Sequence, residues 1–168
     1  MKKRILMLTT GGTIASLPTD EGLAPGLDGA ALAELLPTGV LEHYEIDIRD
    51  ILHLDSSNIQ PEEWQMIARH IFDSRACYDG IVITHGTDTM AYTASVLSFM
   101  LRGIGIPVVL TGAQLPITHP LTDGLENLRT ALAMAACGAA GVFLAFERKV
   151  MLGCRAVKTR TTDFGAFE

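Results

Sequence analysis

The sequence predicts an α/β fold: a three-layer, doubly wound, mostly parallel sheet with helices on both faces and a β-hairpin near the C-terminus. Three observations predict it. Continuous apolar runs of strand length recur at Ile5-Leu6-Met7-Leu8, Ile81-Val82-Ile83, Val108-Val109-Leu110 and Val142-Phe143-Leu144-Ala145, and a strand that is apolar on both faces belongs inside a parallel sheet. Segments of helical periodicity lie between those runs, which is the βαβ pattern. Several runs end in turns rich in glycine, hydroxyl and carboxylate residues, and in such sheets ligands bind at the carboxyl ends of strands. At 168 residues the chain is long enough for one domain, 1–168, with a full core.

The first strand covers residues 4–10 and runs into Thr9-Thr10-Gly11-Gly12-Thr13-Ile14-Ala15-Ser16. Two consecutive glycines let the backbone take dihedrals closed to other residues and approach a ligand closely. Thr13 is thereby held at the mouth of the sheet with its hydroxyl free, although an ordinary Gly-Gly turn is the simpler account of this stretch taken alone. Residues 11–29 carry five glycines and two prolines, a length and composition that is more often functional or mobile than merely connecting. Asp28 caps a short helix, Ala30 to Leu36, that stops at Pro37. Glu45-Ile46-Asp47-Ile48-Arg49 alternates polar and apolar residues, so it reads as a half-exposed strand near an edge.

Asp55-Ser56-Ser57-Asn58 precedes a helix over 61–75 that starts at Pro61 and carries Trp64, Ile67, Ala68, Ile71 and Phe72 on one face. Taken alone, the four polar residues read as a capping cluster. A strand at 80–84 leads into Thr84-His85-Gly86-Thr87-Asp88-Thr89-Met90 and a helix from Thr87 to Leu101, which repeats the design of the first strand and turn. Ile106 to Thr111 is a further strand, ending in Gly112-Ala113-Gln114. Asp123 caps a helix with Leu125, Leu128, Leu132 and Ala135 on one face. Gly141 to Phe146 is a strand, Glu147-Arg148-Lys149 a turn, and Val150-Met151-Leu152 the returning hairpin strand. The tail, Cys154 to Glu168, ends without a core element or a terminal cap. On this layout Thr9–Thr13, Asp55–Ser57, Thr84–Thr89 and Thr111–Gln114 all follow strands and converge on one rim.

Composition narrows the function. A net charge of −6 argues against nucleic acid and anionic membrane as partners, because either needs a basic face. Hydrophobic residues make up 48% and the mean hydropathy is +0.29, so part of the apolar surface is expected to meet a partner or a further domain. Cys77, Cys137 and Cys154 form no Cys-x-x-Cys pair, so a reducing compartment is expected in place of a disulfide framework or zinc site. Lys2-Lys3-Arg4 precedes an apolar run too short for a signal peptide, and no segment is long enough to span a membrane. A cytoplasmic protein is expected. Gly-x-x-x-x-Gly-Lys-Ser/Thr and a complete dinucleotide fingerprint are both absent, and the five histidines show no metal spacing. No cofactor and no metal is the expectation.

The rim is instead rich in hydroxyls: Thr10, Thr13, Ser56, Ser57, Thr87 and Thr89, with Asp88 among them. A threonine nucleophile needs a base. His85 qualifies by type, but a histidine inside a Thr-His-Gly turn is more often scaffold. Lys158 is the other candidate, with burial favouring its neutral form and a nearby Asp88 opposing it. A solvated lysine among Arg155 and Arg160 is its simpler account. Thr87, Asp88 and Thr89 at a helix start are either caps or a place where backbone N–H groups hold a substrate carboxylate while Asp88 pairs with an ammonium. The second arrangement, with a hydroxyl nucleophile, suits hydrolysis of an amino acid's side-chain amide.

Thr10-Gly11-Gly12-Thr13-Ile14-Ala15-Ser16 and Thr84-His85-Gly86-Thr87-Asp88-Thr89-Met90 resemble the two signature motifs of the bacterial-type L-asparaginases, and Asp55-Ser56-Ser57 resembles the cytoplasmic type I branch. The resemblance runs the length of the chain. It implies Thr13 as the nucleophile that forms an acyl-enzyme from L-asparagine. Thr87 with Lys158 would be the second hydroxyl–base pair, acting on water or, in a competing account, in the first attack. Asp88 would bind the substrate ammonium, and Asp55, Ser56 and Ser57 its carboxylate and amino groups. Backbone N–H groups near Ala113 and Thr87 would stabilise the oxyanion, and residues 14–30 would be a flexible lid. The lid tyrosine usual in the family has no counterpart between Pro18 and Gly29. Family members are roughly twice as long, so the chain is expected to be an N-terminal domain whose smaller C-terminal domain is missing. A homodimer is possible on the same resemblance. A silent amino-acid-binding domain and an amidase acting on glutamine or glutaminyl-tRNA are the competing functions.

Overall fold

The computed structural model describes residues 1–19, 22–36 and 38–168. Six strands form one sheet in the order β4-β1-β5-β6-β7-β8, from β1 (Lys3–Gly11), β4 (Tyr44–Leu54), β5 (Gly80–Thr84), β6 (Pro107–Thr111), β7 (Gly141–Phe146) and β8 (Lys149–Leu152). Every pairing is parallel except β7 with β8, the expected hairpin. β1, β5 and β6 are central, and β5 and β6 are buried along their whole lengths, which is why their sequences show no polar alternation. β4 lies at the edge and is half-exposed, as its alternation predicts.

Two apolar layers flank the sheet. On one face α1 (Gly29–Glu34), α2 (Thr38–His43) and α5 (Gly124–Ala136) pack through Leu32, Val40, Leu128 and Leu132 against Ile5, Met7, Val82 and Val109. On the other, α3 (Pro61–Ser74) and α4 (Met90–Met100) pack through Ile67, Ile71, Ala94 and Leu97 against Leu6, Leu8, Ile81 and Leu110. Odd and even positions of each strand go to opposite faces, the period-2 rule at work. No helix among the described residues is long and apolar enough to cross a membrane. Tyr92 and Phe99 of α4, together with Leu121 and Val157, leave large apolar side chains in solvent.

Several local expectations change. The segment expected to be a lid carries structure that the sequence did not show: a 3₁₀ turn at Thr13–Ala15 leads to an antiparallel pair, β2 (Ser16–Thr19) and β3 (Gly22–Pro25). Asp28 caps α1 through its bond from the Ala31 N–H, and α1 ends at Glu34; Pro37, the expected stop, lies outside the described residues. Phe72 does not join the apolar face of α3. It is 53% exposed, with the Arg75 guanidinium over its ring. α4 begins at Met90, later than the expected Thr87, and Thr89 at its N-cap position spends its hydroxyl on the Ser56 carbonyl in place of a capping bond. Asp123 does not cap α5 either: its carboxylate turns back to the Gln114 and Leu115 N–H groups, and Thr122 Oγ1 accepts from the Gly124 N–H.

The tail is the largest correction. Ala166 and Phe167 are core residues, and the Phe167 ring packs 4.9 Å from that of Phe146. Backbone bonds between Val157 and Glu168, in both directions, and an antiparallel bridge from Lys158 to Phe167 close the tail on itself. A single aromatic at the penultimate position carries no periodicity, so nothing in the sequence pattern marks it as an anchor. Phe167→Ala removes a fully buried ring and is expected to destabilise the chain by about 3 kcal/mol. A urea unfolding midpoint that stays within error of the wild type would show that the tail is not held this way.

Candidate functional site

The rim forms because strand ends approach backbone to backbone. Gly11 and Gly12 have φ of 101° and 83°, the left-handed region that glycine enters freely. A Cβ on Gly12 would lie 2.5 Å from the Gly86 nitrogen, and one on Gly86 would lie 2.5 Å from Ser56 Oγ. The turns after β1, β4 and β5 are therefore locked together at a spacing only glycine permits. Thr10 adds a bond from its Oγ1 to the Thr84 carbonyl, 2.8 Å.

Just past these contacts lies a cavity of about 230 Å³, lined by Gly12, Thr13, Ser16, Leu54, Asp55, Ser56, Gly86, Thr87 and Asp88. It is smaller than the roughly 300–1,000 Å³ of sites for drug-sized ligands, and it suits a polar molecule of amino-acid size. Thr13 opens the 3₁₀ turn and is partly exposed. Its hydroxyl has no hydrogen-bond partner among the described residues. Ser16 Oγ donates to the Gly12 carbonyl at 3.0 Å and braces that turn. Asp55 caps a second 3₁₀ turn, Ser56–Asn58, through a 2.9 Å bond from the Ser57 N–H. The capping account of Asp55 is thus correct for this turn, while α3 has its own capping box from Gln60 and Glu63.

Thr87, Asp88 and Lys158 meet at one side of the cavity. Lys158 Nζ donates to Thr87 Oγ1 at 2.9 Å and to Asp88 Oδ1 at 2.8 Å. Only 13% of the Lys158 side chain is exposed, against 61% for Asp88, so the solvated-lysine account is overturned. The lysine reaches the rim because the tail that carries it is anchored by Phe167.

Two predicted residues lie apart. Ser57 is exposed and does not line the cavity, and Ala113 is buried at the end of β6, outside the lining. The Gln114 N–H beside it already donates to both Asp123 oxygens at 3.0 Å.

His85 is scaffold. Its Nδ1 faces the Gly86 carbonyl at 2.7 Å, and a carbonyl only accepts, so Nδ1 carries the proton. Nε2 of the neutral ring then accepts from Thr93 Oγ1 at 2.9 Å, and that oxygen accepts from Trp64 Nε1 at 2.8 Å. Complete burial pushes the ring's pKa down to about 4. Among the described residues no group of three His, Cys, Asp or Glu side chains gathers to hold a metal ion.

Residues given no role from the sequence also shape the site. Gln114 Oε1 accepts from Thr87 Oγ1 at 3.3 Å. Asn127, buried on the apolar face of α5, bonds the Gly112 carbonyl, Asp123 and the Glu147 N–H. An asparagine in step with Leu128 and Ala131 was the available signal. The last of these bonds holds the hairpin turn, where Glu147 and Arg148 have φ of 50° and 59°, as a two-residue turn of this hand requires.

Comparison with known proteins gives a consistent set of likenesses. A family described as "Asparaginase, N-terminal" matches residues 4–168. The chain is 50% identical to an L-asparaginase of Thermococcus kodakarensis over 98% of its own length and 50% of that protein's. It is 42% identical to L-asparaginase 1 of Escherichia coli over 99% of its own length and 50% of that protein's. The solved thermostable enzyme from Thermococcus kodakarensis superposes with a TM-score of 0.90, covering 98% of this chain and 50% of that one. A probable cytoplasmic L-asparaginase from Campylobacter jejuni, 36% identical, superposes with a TM-score of 0.88 over 99% of this chain and 51% of that one. The chain spans about half the length of the relatives it matches.

Stability should depend on pH through His85. An unfolded histidine takes up a proton near 6.5, the native one only near 4. Between those values the unfolded state holds more protons, so this stabilisation is complete above 6.5 and is lost as pH falls toward 4, by about 3 kcal/mol. Urea midpoints measured across that range should fall less steeply for His85→Gln. Parallel profiles for the two proteins would refute the assignment.

Proposed function

Because the chain belongs to the asparaginase family, through the N-terminal domain that its residues 4–168 match, we propose that it carries the catalytic domain of an amidohydrolase converting L-asparagine to L-aspartate and ammonia. The observation that carries the proposal is the contact of Lys158 with Thr87 and Asp88 beside a cavity that also holds the Thr13 hydroxyl, which has no partner among the described residues.

In the proposed reaction Thr13 Oγ1 attacks the side-chain amide carbon. The backbone N–H of Thr87, which lines the cavity, stabilises the oxyanion, with the Ala113 N–H the second donor that the family resemblance implies. The C–N bond breaks, the departing nitrogen takes up the hydroxyl's proton, ammonia leaves and an ester to Thr13 remains. Water, deprotonated by the Thr87–Lys158 pair, opens the ester and releases aspartate; in the competing assignment the same pair takes the proton in the first attack. Asp88 has one carboxylate oxygen on Lys158 and is otherwise open to solvent, which leaves it able to receive the substrate ammonium. Asp55 and Ser56, both in the cavity lining, bind the substrate's carboxylate and amino groups. No cofactor enters this chemistry. The proposed setting is the cytoplasm, as in the name of the Campylobacter jejuni relative.

A second reading has two observations in its favour. The chain spans half of its relatives' length, and Asp88, in the cavity lining, stands exposed. Residues 1–168 would then be an N-terminal domain that binds the amino acid but turns it over only when a second domain, or a second copy in a homodimer, closes that rim.

Ammonia release from L-asparagine, with L-glutamine alongside, separates the readings. Thr13→Ala should lower kcat by about 10³-fold or more while the variant still binds L-aspartate by calorimetry. Lys158→Met should act in the same direction. Turnover by Thr13→Ala at the wild-type rate would sink the nucleophile assignment. A folded wild-type chain that binds aspartate without releasing ammonia would favour the second reading.

A further inference from the structure

We propose that Gln114 is a positioning residue for Thr87, fixing the direction of its hydroxyl proton and thereby leaving its lone pair to Lys158. The inference rests on the reading of Thr87 and Lys158 as a hydroxyl–base pair, and it begins with an amide that has only one possible orientation. Gln114 Nε2 lies 2.9 Å from the Asp163 carbonyl and 3.3 Å from the Thr161 carbonyl. Backbone carbonyls only accept, so the nitrogen end of the amide must face the tail. Oε1 must then face the site, and it lies 3.3 Å from Thr87 Oγ1. The backbone cannot swing to relax this, because the Gln114 N–H is held by both oxygens of Asp123 at 3.0 Å.

An amide oxygen has no proton, so Thr87 is the donor in that contact. Its one proton is thereby committed to Gln114, and its oxygen is the acceptor toward Lys158 Nζ, 2.9 Å away. Donors are ordered along the whole row. Lys158 donates to Asp88 and Thr87, Thr87 to Gln114, and Gln114 to the two tail carbonyls. For Lys158 to act as a base, it must lose a proton and the Thr87 hydroxyl must turn from Gln114 to it. Gln114 thus does two things. It holds the Thr87 oxygen in place, and it competes with neutral Lys158 for the Thr87 proton.

Gln114→Met keeps the length of the side chain and removes both amide functions. In ammonia-release assays its kcat should fall by about tenfold through lost positioning, with KM within about twofold of the wild type because Gln114 does not line the cavity. The acid limb of its kcat profile should move to lower pH, since the competing acceptor is gone; loosened packing alone would not produce that shift. Neutron diffraction from the deuterated wild-type chain tests the same inference without turnover. It should show the Thr87 deuteron directed at Gln114 Oε1 and two deuterons on Nε2 facing Thr161 and Asp163. A deuteron directed at Lys158, a reversed amide, or a Gln114→Met variant with unchanged kcat and acid limb would each overturn the inference. Absence of ammonia release from the wild type counts against the proposed function alone, and the diffraction result then decides this inference.

Discussion

The site depends on one steric constraint: the turns that leave β1 and β5 touch through their backbones, and the turn after β4 presses its Ser56 side chain onto the second of them. No side chain other than hydrogen fits at Gly12 or Gly86, where a Cβ would come within 2.5 Å of its neighbours. At Gly112, after β6, the same atom would lie 2.3 Å from the His85 carbonyl. Four strand ends are drawn into one rim this way, and Thr13, Ser56 and Thr87 project from positions next to the points of contact. The neutral His85 ring serves the same end from below. It ties the Gly86 turn to Thr93 and Trp64, so helices α3 and α4 are registered against the rim.

The fold was legible in the sequence because its central strands are apolar on both faces and helices α3 and α5 carry clear stripes. The convergence of four segments on one rim was legible for the same reason, since a parallel sheet puts every such turn at its carboxyl edge. What escaped the sequence was the use of polar side chains over long separations. Thr89 and Asp123 sit where caps belong, yet each bonds a residue in another loop, because a tertiary acceptor or donor stood within reach. Lys158 reads as solvated among Arg155 and Arg160, and only the fold brings it to Thr87, 71 positions away. Gln114 and Asn127 look ordinary in sequence, and their value comes entirely from what surrounds them.

Those two amides link the end of β6 to the hairpin turn and to the tail. Asn127 joins the end of β6 to the hairpin turn, and Gln114 joins the same β6 turn to the tail segment beyond Lys158. The segment carrying Lys158 is thus fixed at both ends. Backbone pairing with residues 166–168 holds it on one side, and the Gln114 amide holds Thr161 and Asp163 on the other.

Magnitudes decide what the Lys158 contacts are for. An ion pair whose carboxylate is 61% exposed is worth about 0–1 kcal/mol, because solvent screens it and two long side chains must be ordered to form it. Burial of the Phe167 ring contributes about 3 kcal/mol by itself, and the backbone bonds of residues 157–159 to 166–168 add to it. The tail would therefore stay in place without the ion pair, whereas the lysine could not reach the rim without the tail. Stability flows from the apolar anchor to the charged group. Lys158 is largely desolvated, 13% exposed, at little benefit to the fold, in contact with a hydroxyl and a carboxylate, and a fold selected for stability alone has no use for that arrangement.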